Sequence, residues 1–134
     1  MNVSVLIVNK SIGEPGIIGN AAFVLGLTAG RRLPEETFGP AVVDGDGRSH
    51  EALTSIGHIV RKASATKLRT LWETFSGDPD VSVVDYTEAA APADYGAYTA
   101  ALGATTSEEI TFRAIHVYGP GEKITPLTKN LSSL

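Results

Sequence analysis

Two apolar runs of the chain, residues 3–8 and 81–84, are each followed by polar side chains that could do chemistry. Amide, ammonium, carboxylate and hydroxyl groups are the kinds of group that orient a small ligand in a cleft. A carboxylate can also act as a base or hold another group in position. We therefore take Asp85 as the candidate catalytic residue. The candidate ligand-binding residues are Asn9, Lys10, Asn20, Asp85 and Thr87.

The positions of these side chains depend on a strand and on the helix that follows it. Residues 3–8 read VSVLIV, a nearly unbroken apolar run that predicts a central strand buried on both faces. A helix is predicted over residues 18–30, with Asn20 capping its first turn and Gly30 ending it. Ligands of open α/β sheets gather at the carboxyl ends of the strands, so we expect the candidate residues to line one cleft. In the alternative interpretation, Asn20 caps only the helix and Asp85 only the following turn.

The clearest helix of the chain lies between the two apolar runs. Leu68, Leu71, Trp72 and Phe75 are spaced at i, i+3, i+4 and i+7, and Ser64 precedes them as a cap. This spacing predicts a helix whose apolar side faces the core. Trp72 is accordingly expected to pack against the sheet and not to stack on a ligand.

The remaining elements alternate between strand and helix. Asp44, Gly45, Asp46 and Gly47 form two Asp-Gly pairs, which favour a tight hairpin turn. Further strands are predicted over residues 41–43, 55–63, 81–84 and 111–118, and a helix over residues 94–102. We expect one α/β domain over residues 1–134, a three-layer sandwich with a mixed, mostly parallel sheet of four or five strands and helices on both faces.

The side chains of the last predicted strand are relevant to whether the protein associates with a second copy of itself. Alternation along residues 111–118 puts Phe112, Ala114, His116 and Tyr118 on one face. Short helices can leave such a face uncovered, and we therefore predict a homodimer. His116 is expected to be a hydrogen-bonded core or interface residue.

Familiar catalytic and cofactor motifs are missing from the chain. It has no G-x-S-x-G elbow, no Walker loop and no G-x-G-x-x-G. The three histidines lie on separate predicted elements without ligand-like spacing, and the segment from Asp44 lacks the closing Glu of a calcium loop. No metal and no cofactor is therefore expected. The start of the first helix, near Asn20, could still hold a phosphate or a carboxylate.

The amino-acid composition limits which kinds of protein this chain can be and which partners it can bind. The chain has 134 residues, 43% of them hydrophobic, and a formal charge of −4 from 15 acidic and 11 basic residues. A net negative charge opposes binding to the phosphate backbone of nucleic acid, so we do not expect nucleic acid as a partner. There are no cysteines and no basic secretion leader, and the longest apolar stretch is too short to span a bilayer. We expect a cytoplasmic protein with no membrane association, whose partner is a small molecule or another protein.

Three segments of the chain resemble a known family. HIVRKASATKLRTLWETF, VSVVDYTEA and TFRAIHVYGPGEKITPLTKNLSSL are similar in sequence and spacing to the later part of type II peptidyl-tRNA hydrolases. The chain is more similar to the uncharacterised family called domain of unknown function 2000, which resembles those hydrolases in fold. Asn20 and Ala21, the DxDG turn at residues 44–47 and the strand end at residues 85–87 carry this second resemblance.

The resemblance implies a hydrolase-like fold without the full catalytic set. The helix lysine of the hydrolases falls on Gly19, their glutamine on Phe23, and their catalytic threonine on Ala89. A second glutamine falls on Ala90, and only the aspartate is matched, by Asp85. We therefore expect a cleft that binds a small molecule or a partner. The alternative is a hydrolase of an ester resembling peptidyl-tRNA, with Lys10, Asn20 or Thr87 in a rearranged site.

Overall fold

The computed structural model describes residues 1–90 and 94–134. Its strands are β1 (Asn2–Asn9), β2 (Val42–Val43), β3 (Ser49–His50), β4 (His58–Ala63), β5 (Ser82–Thr87), β6 (Phe112–Pro120) and β7 (Ser132–Ser133). Its α-helices are α1 (Pro15–Gly30), α2 (Ala65–Ser76), α3 (Tyr95–Gly103) and α4 (Gly121–Thr128). The main sheet has five strands in the order β5-β6-β1-β4-β7. The predicted central position of β1 is confirmed.

The strand directions correct one prediction. The sheet is mixed, but among the described strands only β1 and β4 pair in parallel, whereas β1–β6, β5–β6 and β4–β7 pair antiparallel. The expectation of a mostly parallel sheet is therefore wrong. The physical reason is the position of β6, which returns between β1 and β5 in the opposite direction and keeps those two strands apart.

Helices pack against both faces of this sheet because β1 is apolar on both sides. On one face lie α2 and α4, and their cluster contains Val5, Ile7, Leu68, Leu71, Phe75, Ile115, Val117 and Ile124. On the other face α1 packs through Ala21 and Leu25 against Val8 and Ala114. The predicted stripe of α2 is confirmed, since Leu68, Leu71 and Phe75 are buried and Ser64 caps the helix by accepting from the Lys67 amide.

A bulge in β6 changes the predicted face of Phe112. Tyr86 pairs with Ala114 and Thr87 with Phe112, so Arg113 is the extra residue between the two pairs. Phe112 consequently turns towards α2 and lies 5.1 Å from the ring of Trp72. The face on which the homodimer prediction was based is largely covered, because Phe112, Ala114 and His116 are buried and Tyr118 is half-buried.

The Asp-Gly pairs form the predicted hairpin. Strands β2 and β3 pair antiparallel as a separate two-stranded sheet. Gly47 has a φ of +83°, a conformation that favours glycine. The Asp44 carboxylate accepts hydrogen bonds from His50 and from the backbone amides of Arg48 and Asp46, and these bonds lower the pKa of its carboxyl.

Helix α1 starts earlier than predicted. Its first residue is Pro15, whose fixed φ suits the first position of a helix, so Asn20 lies inside the helix and is not its cap. The predicted end at Gly30 is confirmed. Within residues 1–90 and 94–134, no helix is both long and apolar enough to cross a membrane.

Candidate functional site

Asn9 and Lys10 serve the loop that follows β1. The Asn9 side chain is buried, and its amide nitrogen donates to the Phe112 carbonyl at 3.0 Å. Its side-chain oxygen accepts from the amide and the hydroxyl of Ser11. Lys10 uses its backbone amide to donate to the Ala63 carbonyl, and its side chain is exposed. Both groups of the Asn9 side chain are thus occupied within the fold.

Asn20 and Asp85 lie on opposite faces of the sheet. The Asn20 side-chain oxygen accepts from the Tyr86 hydroxyl at 3.0 Å on the α1 side. The Asp85 carboxylate accepts from the Trp72 indole N–H at 3.0 Å on the α2 side. This separation follows from the alternation of neighbouring residues along β5. The side chains expected in one cleft are therefore divided by the sheet.

Asp85 and Thr87 on β5 both accept hydrogen bonds within the fold. Burial raises the pKa of the Asp85 carboxyl, although the bond from Trp72 acts in the opposite direction. Thr87 is buried, and its hydroxyl oxygen accepts from the Ala89 amide. The carboxylate and the hydroxyl are thus engaged within the fold.

A polar cluster lies elsewhere, across the three central strands, with Ser4 and His116 buried and His58 exposed. The Ser4 hydroxyl on β1 is hydrogen-bonded to His116 Nε2 on β6 at 2.8 Å and to His58 Nδ1 on β4 at 2.7 Å. His58 Nε2 is in turn 2.5 Å from the hydroxyl of Thr54. Two of the three histidines, which the sequence places on separate elements, therefore converge on one serine.

The hydrogen bonds of this cluster can point in either direction. A hydroxyl carries one proton, so Ser4 can donate to only one of its two imidazole partners. Burial, assisted by repulsion from His58, lowers the pKa of His116 to about 4. His116 is consequently neutral at neutral pH, with one donor and one acceptor nitrogen. Three hydrogen bonds link the side chains of Thr54, His58, Ser4 and His116. All three donors can therefore point towards His116, or all three can point towards Thr54.

Above this cluster lies an apolar cavity of about 340 Å³, which we call the histidine cavity. Helix α1 packs mainly against β5 and β6. The cavity lies beside it, between one side of α1, strands β1 and β4, and the chain that connects α1 to β4. Gly26 and Gly30 line it without side chains, and a Cβ added at either meets nothing within 4 Å. Its apolar lining includes Leu6, Leu25, Ala29, Leu33, Phe38 and Val60.

None of the five predicted binding residues lines the histidine cavity, and the residues that do were missed. One signal in the sequence pointed to them. Ser4 and His116 are polar residues within otherwise apolar, buried strands, and such residues need a hydrogen-bonding partner. Among the described residues, no group of three or more His, Cys, Asp or Glu side chains is arranged to hold a metal ion.

Comparisons with known proteins identify a family but not an activity. No curated protein matches the chain. Among solved structures, a protein of unknown function, Atu0240 from Agrobacterium tumefaciens strain C58, matches with a TM-score of 0.82 and 13% identity. The match covers 99% of this chain and 97% of that one, so the two share a fold. The family model described as protein of unknown function (DUF2000) matches residues 4–134, and the chain belongs to that family.

Proposed function

We propose that the protein binds a small, mostly apolar molecule with one hydrogen-bonding group, in the histidine cavity. The observation that carries this proposal is the convergence of Ser4, His58 and His116 on the lining of an otherwise apolar cavity. Ligand sites typically combine apolar walls with a few convergent polar groups that fix orientation.

The cavity also limits the kind of ligand. Its volume of about 340 Å³ lies near the lower end of the range for ligand pockets, roughly 300–1,000 Å³. Among the described residues, its lining has no Asp, Glu, Lys or Arg. Because the serine and histidine hydrogen bonds can reverse, the cluster could face either an acceptor or a donor. A neutral carbonyl or hydroxyl compound with a compact apolar body fits these properties.

A pair of glycine variants tests the site. Gly26 lines the cavity and Gly19 does not, yet both are exposed residues of α1 with free space around an added Cβ. Replacing glycine inside a helix generally stabilises it, so both Gly26→Leu and Gly19→Leu should fold. Only Gly26→Leu places a side chain at the cavity.

The probes are cyclohexanone and cyclohexanol, titrated while backbone amide NMR signals are recorded. We expect shifts at Ser4, His58 and His116 in the wild type and in Gly19→Leu, and their loss in Gly26→Leu. Shifts that persist in Gly26→Leu, or no shifts at these residues with either probe, would refute the site.

The homodimer expected from the sequence remains a prediction. Its original basis on β6 does not hold, but the outer side of α1 exposes Phe23 and Leu27, each 66% accessible. Sedimentation velocity across micromolar concentrations tests it. A single monomeric species over that range rejects the homodimer without affecting the proposed ligand site.

A further inference from the structure

A second cavity lies on the other side of α1. It has a volume of about 560 Å³ and is formed between α1, β5 and α3. Three aromatic side chains line it, Tyr86, Tyr95 and Tyr98, and we call it the tyrosine cavity. Leu25 is the one described residue that lines both cavities, so the two can be tested separately.

The tyrosine rings form an aromatic surface in the wall of this cavity. The ring centroids of Tyr86 and Tyr98 are 6.0 Å apart, and those of Tyr95 and Tyr98 are 6.3 Å apart. Arg113 already lies over the ring of Tyr86, at 5.9 Å from its centroid. Tyr95 is 81% exposed, so its ring is accessible to a planar group. Offset stacking on such rings is favourable.

Arg31 supplies a positive charge to the same cavity. No carboxylate within residues 1–90 and 94–134 lies within 4 Å of Arg31. The two acidic residues of the lining are engaged elsewhere, because Asp94 accepts from the Ala97 amide and Asp85 accepts from Trp72 across the sheet. The guanidinium of Arg31 therefore has the capacity to bind an anionic group.

The positive charge and the aromatic rings line the same cavity from different elements. Arg31 follows the last residue of α1, whereas Tyr86 lies on β5 and Tyr95 and Tyr98 lie on α3. We infer that the tyrosine cavity binds an arylalkanoate, with its ring against Tyr95 and Tyr98 and its carboxylate on Arg31.

The test uses 4-phenylbutanoate, titrated into the protein with amide NMR detection. Two analogues each lack one end, since 4-phenylbutan-1-ol has no charge and butanoate has no ring. Arg31→Gln removes the proposed partner, whereas Arg32→Gln removes the same charge from the adjacent residue and serves as the matched control.

We expect 4-phenylbutanoate to shift signals of Tyr95 and Tyr98 and to bind more tightly than either analogue. Arg31→Gln should weaken binding about tenfold, and Arg32→Gln by less than about twofold. Equal weakening by both variants, equal binding of the alcohol, or no binding overturns the inference. Shifts confined to Ser4, His58 and His116 also overturn it, while leaving the proposed function intact.

Discussion

Ser4 and His116 share a buried hydrogen bond of 2.8 Å although 112 positions separate them in the chain. Because the same hydroxyl is also bonded to His58, one serine joins three neighbouring strands of the sheet. Burial of the imidazole disfavours its charged form, which gives His116 a pKa of about 4 instead of 6.5. Stability should therefore depend on pH in a predictable way.

The first prediction is a loss of stability between pH 6.5 and pH 4. As pH falls through this range, the unfolded chain takes up a proton on this histidine before the folded protein does, so acid favours unfolding. The contribution of His116 should be complete above pH 6.5 and should fall by about 3 kcal/mol towards pH 4. Urea unfolding measured at several pH values checks this. His116→Gln should flatten the dependence, and an unchanged slope would contradict the assignment.

The second prediction concerns the bridging hydroxyl. Ser4→Ala removes the common partner of His58 and His116 and leaves Nε2 of the buried His116 imidazole without it. The free energy of unfolding should fall by about 1–3 kcal/mol, the usual cost of an unsatisfied buried polar group. Ser4→Thr retains a hydroxyl and should lose less. Equal losses in the two variants, measured by urea unfolding, would show that packing and not hydrogen bonding decides the result.

Local patterns in the sequence predicted local structure well. The stripe of α2, the Asp-Gly hairpin and the burial of β1 each follow from spacing within a few residues. Strand order does not follow from such patterns, because the insertion of β6 between β1 and β5 depends on contacts between distant segments. The candidate site was missed for the same reason. Ser4, His58 and His116 become neighbours only through that strand order, and Asp85 and Asn20 are separated by the alternation of β5.

A third prediction tests the hairpin. Gly47 has a positive φ, whereas Gly45 does not, and an added Cβ at either position meets no neighbouring atom within 4 Å. Alanine at position 47 must therefore adopt a strained backbone, at a cost of about 1–2 kcal/mol. Gly45→Ala is the control and should change stability by less than about 0.5 kcal/mol. Because the hairpin forms a separate small sheet, its amide hydrogen exchange should be measured alongside global unfolding. Similar exchange rates in both variants would contradict the role of φ.

The fourth prediction concerns the face of α2. Leu71 is 1% exposed within the cluster between α2 and the sheet, so Leu71→Ala should lower stability by about 2–5 kcal/mol. Leu127 on α4 is 40% exposed and provides the control, with a smaller expected loss. Urea unfolding of the two variants gives the comparison. A loss below about 0.5 kcal/mol for Leu71→Ala would refute its placement in the core.

Asp85→Asn distinguishes a structural role for this residue from a role in ligand binding. Burial raises the pKa of the Asp85 carboxyl, so its contribution to stability is greatest at low pH and is lost as pH rises through the folded-state pKa. Asparagine keeps an oxygen that can accept from Trp72 and removes the charge. The variant should therefore be more stable than the wild type at pH 7, and the difference should shrink at acidic pH.

The same variant should leave the binding of cyclohexanone unchanged, because Asp85 does not line the histidine cavity. Thermal unfolding at pH 7 and pH 4, combined with the NMR titration, measures both properties on one sample. Weaker binding without a change in stability would support the cleft inferred from the sequence. Lower stability at pH 7 would instead show that the charged carboxylate stabilises the fold, against the direction that its burial implies.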